Sequence, residues 1–257
     1  MQTVISNKSI LDRYLKELRL PGIRGYYEDF IRLAIKESLS YEDFFLGLLE
    51  RESEERTDKR IMRLMRESKL PLEKRLENFD LKRLPLKVTH QVKALLKGEF
   101  LNHCENVLAF GNPGSGKTHL LCAIGHELVR INRRVLFSTC STLVQELLIA
   151  KRDLKLPKKL KKLSKYDAII IDDIGYVQQN REEMEVLFTL LADRYERSSI
   201  MITSNLPFSK WEKIFKDPMV TAAAIDRLVH HSVILELNIE SYRMVAAKKG
   251  KKNQEVV

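Results

Sequence analysis

The chain has 257 residues, 44% of them apolar, with a formal net charge of +10 and a pI near 9.4. That length holds one large domain plus a small one, and that apolar content argues against a disordered chain. The basic balance points to a polyanionic partner, of which nucleic acid is the commonest.

The three cysteines, Cys104, Cys122 and Cys140, show no metal-ligand spacing. An odd count without C-x-x-C fits reduced thiols. The start, from Met1 to Ser6, lacks the charged-then-apolar profile of a signal peptide. No apolar run approaches the ~20 residues that a membrane span needs. A cytoplasmic location is the expectation.

Residues 1–69 are expected to form a helical domain that docks on a partner protein. Ile10, Leu11, Tyr14, Leu15 and Leu18 recur at helical spacing, and Leu20-Pro21-Gly22 is expected to end that run. A second helix is predicted from about Tyr26 to Glu37, with Tyr27, Phe30, Ile31 and Ala34 on one face. Ser40-Tyr41-Glu42-Asp43 has the form of a capping box before Phe44, Phe45, Leu48 and Leu49. The charged run from Glu50 to Arg60 should continue that helix on a solvated surface. Residues 70–105 follow as a linker with two Leu-Pro breaks and a lead-in helix from Val88 to Leu101.

From Asn106 onward strands and helices alternate, the pattern of a parallel sheet covered on both faces. Strands are predicted at 106–110, 134–138, 167–172, 199–204 and 232–237. Helices are predicted at 117–131, 141–152, 158–164, 182–196, 208–215 and 219–229, with a last one from Glu240. The domain is expected to run over 106–247, ahead of a basic tail at 248–257.

Between the first strand and its helix runs Gly111-Asn112-Pro113-Gly114-Ser115-Gly116-Lys117-Thr118, which fits G-x-x-x-x-G-K-[ST]. Glycines let the backbone wrap so that successive N–H groups face an anion. The helix N-terminus adds partial positive charge and Lys117 a full one near the β- and γ-phosphates. The Thr118 hydroxyl suits Mg²⁺, which prefers hard oxygen ligands. The chain is therefore expected to bind a nucleoside triphosphate.

The basic segment Lys151 to Lys165 carries eight cations (Arg152, Lys155, Lys158, Lys159, Lys161, Lys162 and Lys165 after Lys151) against the single acid Asp153. Leu156, Leu160 and Leu163 share one helical face, so the lysines fan out over the rest. Such a stripe neutralises duplex phosphates without reading bases. The alternative is a solubilising lysine face, which usually carries interspersed glutamates.

The third strand ends Ile169-Ile170-Ile171-Asp172-Asp173. Asp172 at the strand tip can hold Mg²⁺ through its water shell, and Asp173 can polarise a water for attack on the γ-phosphate. The other reading of Asp173 is a helix cap or turn residue. Asn205, after the fourth strand and ahead of Thr203 and Ser204 as candidates, can contact the γ-phosphate or the water. Arg227 can reach a neighbouring subunit's nucleotide, with Arg194 and Arg197 as rivals and an Asp226–Arg227 surface pair as the bland alternative.

These segments together resemble the IstB-like helper ATPases of insertion-sequence transposition and the related DnaC-type helicase loaders, both AAA+ proteins. The resemblance covers about 70–247. It is carried by Gly111 to Thr118, Ile169 to Tyr176, Ile202 to Pro207, Asp226-Arg227-Leu228-Val229-His230-His231 and Ser241-Tyr242-Arg243. It implies a P-loop AAA+ core: a parallel five-stranded sheet between helices, no C-terminal helical lid, and a small all-helical N-terminal domain. Position by position it implies an ATP cradle from Gly111 to His119, with Lys117 and Thr118 as Walker A. Asp172 and Asp173 become Walker B, Asn205 sensor 1, Arg227 an arginine finger supplied in trans, and Arg243 a sensor 2. It further implies homo-oligomers that assemble with ATP around duplex DNA, deform it and present it to a partner transposase. Many AAA+ proteins carry glutamate where Asp173 stands, so slow hydrolysis is expected. Two other readings are a DnaC-type loader of a replicative helicase and a small-molecule kinase on a P-loop scaffold. A third, a DNA-binding protein with a relic nucleotide site, conflicts with the intact Lys117, Thr118 and Asp172.

Overall fold

The computed structural model describes residues 7–174, 181–211 and 218–242. Contacts divide the chain into two compact units, Met1–Arg63 and Leu64–Val257. The first holds α1 (Asn7–Glu17), α2 (Pro21–Glu37) and most of α3 (Tyr41–Glu67). Leu15, Ile23, Tyr27 and Leu48 form its core, with Leu20, Phe30 and Phe44 packed against them. Pro21 does not stay in a loop. It opens α2, where the missing N–H of proline costs nothing. At the start of α3 the Ser40 hydroxyl accepts from the Asp43 N–H at 3.1 Å, the N-cap half of a capping box, and donates to the Asp43 carboxylate at 2.6 Å.

The charged run Glu50–Arg60 is helical, but one member is not solvated. Glu52 is buried, and its carboxylate accepts from the Gly22 and Ile23 N–H groups at 2.7 and 3.1 Å and from Arg56 at 2.6 Å. It thus satisfies orphan donors at the α2 N-terminus from 30 residues away. Burial alone would raise the Glu52 carboxyl, but Arg56 and the two backbone donors outweigh it and hold the group below the usual carboxylate range.

The second unit is a five-stranded, all-parallel sheet in the order β2-β3-β4-β1-β5. The strands are β1 (Asn106–Gly111), β2 (Val135–Thr139), β3 (Ala168–Asp172), β4 (Ser199–Ser204) and β5 (Ser232–Leu237). The helices are α4 (Leu86–Leu95), α5 (Lys117–Arg130), α6 (Cys140–Arg152), α7 (Leu156–Leu163), α8 (Arg181–Arg194) and α9 (Pro218–Val229). Every residue of β3 and β4 is buried, which is why each is apolar at its centre, Ala168–Ile171 in β3 and Ile200–Ile202 in β4. Only a short 3₁₀ turn, Phe208–Lys210, stands where a helix over 208–215 is predicted; residues 212–217 and the segment after Tyr242 lie outside the described residues. All three cysteines are free, and burial pushes the Cys122 thiol up to about 12, which makes it unreactive.

The division falls between Arg63 and Leu64 because the end of α3, expected within the helical domain, packs on the sheet unit together with the stretch expected to link the domains. Leu64, Leu70 and Leu84 are buried, the Phe137 N–H at the sheet edge donates to the Ser68 carbonyl at 2.7 Å, and the His126 ring of α5 meets the Pro71 carbonyl at 3.0 Å. Since β1, β3 and β4 are parallel, the turns that follow them leave the sheet at one edge, where α/β sheets place their ligands.

Replacing Glu52 by alanine leaves the α2 donors unpaired and should cost about 1–3 kcal/mol in the unfolding of the full chain. Because the folded-state carboxyl titrates below its usual range, the wild-type advantage is complete at neutral pH and fades as acid protonates Glu52. A Glu52→Ala chain with wild-type stability at pH 7 would remove this carboxylate from the account.

Candidate nucleotide site

The loop from Gly111 to Gly116 leaves β1 and turns into α5. At Gly111 a Cβ would strike the Leu237 carbonyl of β5, and at Gly114, with φ of 80°, it would strike the Ser241 side chain. Neither position has room for a side chain. Lys117 is buried in the first turn of α5, and its ammonium donates to the Gly111 and Asn112 carbonyls at 2.8 and 3.0 Å. The cation is thereby held over the centre of its own loop.

The acid pair at the end of β3 is tied to β4 by one hydroxyl. Thr203 Oγ1 donates to Asp172 at 2.6 Å and accepts from the Asp173 N–H at 2.8 Å. Asp173 has φ of 58°, a left-handed conformation that turns its carboxylate away from the strand direction. Asp172 stays buried at the strand tip, while Asp173 reaches the cavity. Thr203, a rival to Asn205 from sequence, is therefore a positioning residue for the acids.

A cavity of about 490 Å³ brings Pro113 to His119 together with Asp173 and Asn205. That volume suits one small molecule. Inside it, Asn205 Oδ1 and Ser115 Oγ are buried with no hydrogen-bond partner among the described residues. Unpaired buried polar atoms cost free energy unless a ligand or water completes them. The turn carrying Asn205 is stiff: the Ser204 hydroxyl accepts from the Leu206 N–H at 3.1 Å, and Trp211 donates to the Leu206 carbonyl at 3.1 Å. Beneath it Phe110, Phe208 and Trp211 pack ring on ring, with centroids 4.6 to 6.2 Å apart.

The opposite end of the cavity was not singled out from sequence. Phe79 packs edge-on against the His119 ring at 5.2 Å, and the His119 Nε2 meets the Arg75 carbonyl at 3.0 Å. Arg83 donates to the Glu240 carbonyl at 2.9 Å and stacks on Tyr242, whose N–H donates to the Gly114 carbonyl at 2.9 Å. Phe79, Ile239 and Tyr242 line this end. These rings lie against Gly114 and Gly116 of the loop itself, and Glu73, Lys74 and Asp80 complete the lining beside them. The sequence signal for this wall is the Ser241-Tyr242-Arg243 segment, which carries Tyr242.

Arg227 is not in this cavity. It lies in the last turn of α9, donates to the Ala223 carbonyl at 3.1 Å and stacks on Phe188 at 4.9 Å. The Leu228 carbonyl beside it accepts from Asn106 at the start of β1. Six residues of β1, about 3.3 Å each, therefore separate it from its own phosphate loop by roughly 17–20 Å. Arg194 is excluded as a finger: it is 1% exposed and donates to the carbonyls of Leu163, Tyr166 and Ser199 at 2.9 to 3.0 Å. Burial pushes its pKa down to about 10. Arg197 is exposed beside Asp193. Arg243 lies outside the described residues, as do Gly175 and Tyr176.

The basic segment is less uniform than its sequence. Lys159 pairs with Glu146 of α6, Lys151 with Glu185 of α8, and Lys155 with Asp153. The missing glutamates come from other helices. Arg152, Lys158, Lys161, Lys162 and Lys165 are exposed and make no ion pair among the described residues.

The family model described as IstB-like ATP binding protein matches residues 13–250. A Sinorhizobium fredii protein named for an insertion sequence and ATP binding is 43% identical over 93% of this chain and 81% of its own length. A Pseudomonas aeruginosa protein named for insertion sequence IS21 and ATP binding is 36% identical over 93% of this chain and 91% of its own. The crystal structure of the DnaC helicase loader superposes with a TM-score of 0.54 at 18% identity, over 66% of this chain and 98% of the loader. That likeness bears on the fold.

Arg194→Ala should strand several buried carbonyls and cost about 3 kcal/mol or more in unfolding. Unchanged stability together with lost ATP turnover would return Arg194 to the list of catalytic candidates.

Proposed function

We propose that this chain, which belongs to the IstB-like ATP-binding protein family, is an ATP-dependent helper of transposition that assembles on duplex DNA and hands it to a partner transposase. The observation that carries the ATP-binding part is the cavity in which the phosphate loop, Asp173 and Asn205 meet, with Ser115 Oγ and Asn205 Oδ1 unpaired inside it. The loop N–H groups and Lys117 bind the phosphates, and Thr118 and Asp172 are hard oxygen donors suited to Mg²⁺. When bound, Mg²⁺ neutralises charge between the β- and γ-phosphates. Asp173 takes a proton from the attacking water, and Asn205 holds that water or the γ-phosphate. The reaction is hydrolysis of ATP to ADP and phosphate.

Arg227 serves a neighbouring copy's nucleotide. Its distance from its own loop supports that reading, because no side chain spans roughly 17–20 Å. ATP between copies then couples assembly to hydrolysis. The insertion-sequence relatives favour a transposase as the partner. The helical first unit, with exposed Tyr14, Leu18, Ile35, Tyr41 and Phe45, is the partner-binding domain.

Lys117→Ala should abolish ATP binding, and Arg227→Ala should keep binding but slow hydrolysis on DNA by about 10³-fold or more. Mixing the two variants should restore part of the activity, since a Lys117→Ala copy still offers Arg227 to an intact neighbour. Failure of the mixture to exceed either variant alone would rule out action in trans.

For DNA, charge reversal at Lys158, Lys161 and Lys162 should weaken duplex binding and shallow its salt dependence by about 0.9 in log–log slope per lost phosphate contact. Charge reversal at Lys159 should instead destabilise the seating of α7, because it opposes Glu146. An unchanged slope in the triple variant would move the DNA surface elsewhere.

A further inference from the structure

Leu154 stands at the corner between α6 and α7, in the middle of the basic segment. The corner is a Schellman turn: the Lys155 N–H donates to the Ala150 carbonyl at 2.7 Å and the Leu154 N–H to the Lys151 carbonyl at 3.1 Å. This geometry puts Leu154 in the left-handed region, with φ of 57°. Glycine is the usual occupant there, because a Cβ crowds the following carbonyl. Leucine is therefore disfavoured by the backbone, and at 90% exposure it gains no burial in return. Eight non-glycine residues have positive φ among those described, and the other seven are polar, charged or, once, cysteine.

The mount beneath this side chain is firm. Leu163 is buried, Leu156 and Leu160 pack on the main core, and the Lys159–Glu146 pair clamps α7 to α6. Around it stand the exposed cations Arg152 and Lys158 and the exposed Lys155–Asp153 pair, with Ile149 exposed one turn earlier on α6. An apolar tip on a rigid corner with an unpaired cation on either side matches the chemistry of minor-groove wedges, in which an aliphatic side chain opens a base step while its flanks hold phosphates.

We propose that Leu154 is such a wedge, entering the minor groove of duplex DNA and unstacking one base step while Arg152 and Lys158 hold the flanking phosphates. This rests on the DNA-binding reading above and adds the deforming element to it. Phosphate contacts alone leave a duplex straight. A wedge at each copy kinks the DNA locally, by about 20–90° in proteins that use this device.

The test uses the full chain with Mg²⁺, a non-hydrolysable ATP analogue and a duplex that carries end-to-end fluorophores. 2-Aminopurine at pyrimidine–purine steps reports unstacking. Wild type should raise both energy transfer and aminopurine fluorescence. Leu154→Gly suits the backbone and should fold at least as well; it should keep duplex affinity within about threefold, since phosphates supply most of it, and lose both signals. Leu154→Met should restore them. If Leu154→Gly kinks DNA as wild type does, the wedge is wrong and the DNA-binding reading stands. If wild type fails to bind duplex at all, both fall. If Leu154→Gly blocks assembly measured by light scattering without DNA, the leucine is a contact between copies and the wedge is overturned.

Discussion

A single hydroxyl organises the edge of the sheet that faces the cavity. Thr203 bridges the Asp172 carboxylate and the Asp173 N–H, and the Thr203 carbonyl accepts from the Ile174 N–H at 3.1 Å. These bonds stitch β3 to β4 just beyond the point where regular pairing ends. They hold Asp172 inward and let the chain swing Asp173 into the cavity. Because β1 lies on the other side of β4, the same stitch sets the distance between the acids and the phosphate loop. A parallel sheet makes this possible, since it brings the ends of β1, β3 and β4 to one edge.

The opposite edge is built on different terms. Arg194 is used up inside the protein, where its two terminal nitrogens serve the carbonyls of Leu163, Tyr166 and Ser199 around the ends of α7, β3 and β4. Arg227 keeps its guanidinium partly exposed, stacked on Phe188 and bonded to its own helix. Two arginines of similar sequence setting thus differ completely in availability. The lysines of the basic segment divide in the same way: Lys159 and Lys151 hold helices together, while Lys158, Lys161 and Lys162 face outward. Net charge describes the whole chain, but only the unpaired cations can meet a polyanion.

The strands and most helices were legible because burial leaves a period in the sequence. The run Ala168 to Ile171 and the motif from Gly111 to Thr118 carry their structure locally: one is too apolar for anything but a buried strand, and the other needs glycine where side chains would collide. The first helix ends ahead of Leu20-Pro21-Gly22 as expected, but α2 starts at Pro21 and not near Tyr26, because proline punctuates both ends of helices. Phe79, Arg83 and Tyr242 were missed as cavity residues because they meet across more than 150 positions, where no spacing rule applies.

The sequence by itself determined the class of fold, the phosphate loop and the acid pair, since each depends on neighbours within a few residues. It also announced a basic segment. Tertiary structure alone decided which cations are free, which polar atoms inside the cavity stay unpaired, and that Glu52 caps a helix rather than facing water. The physical reason is the reach of the interactions. Backbone preference and burial are local and leave a pattern in the chain, whereas a charged group's partner is whatever the fold sets within about 4 Å of it.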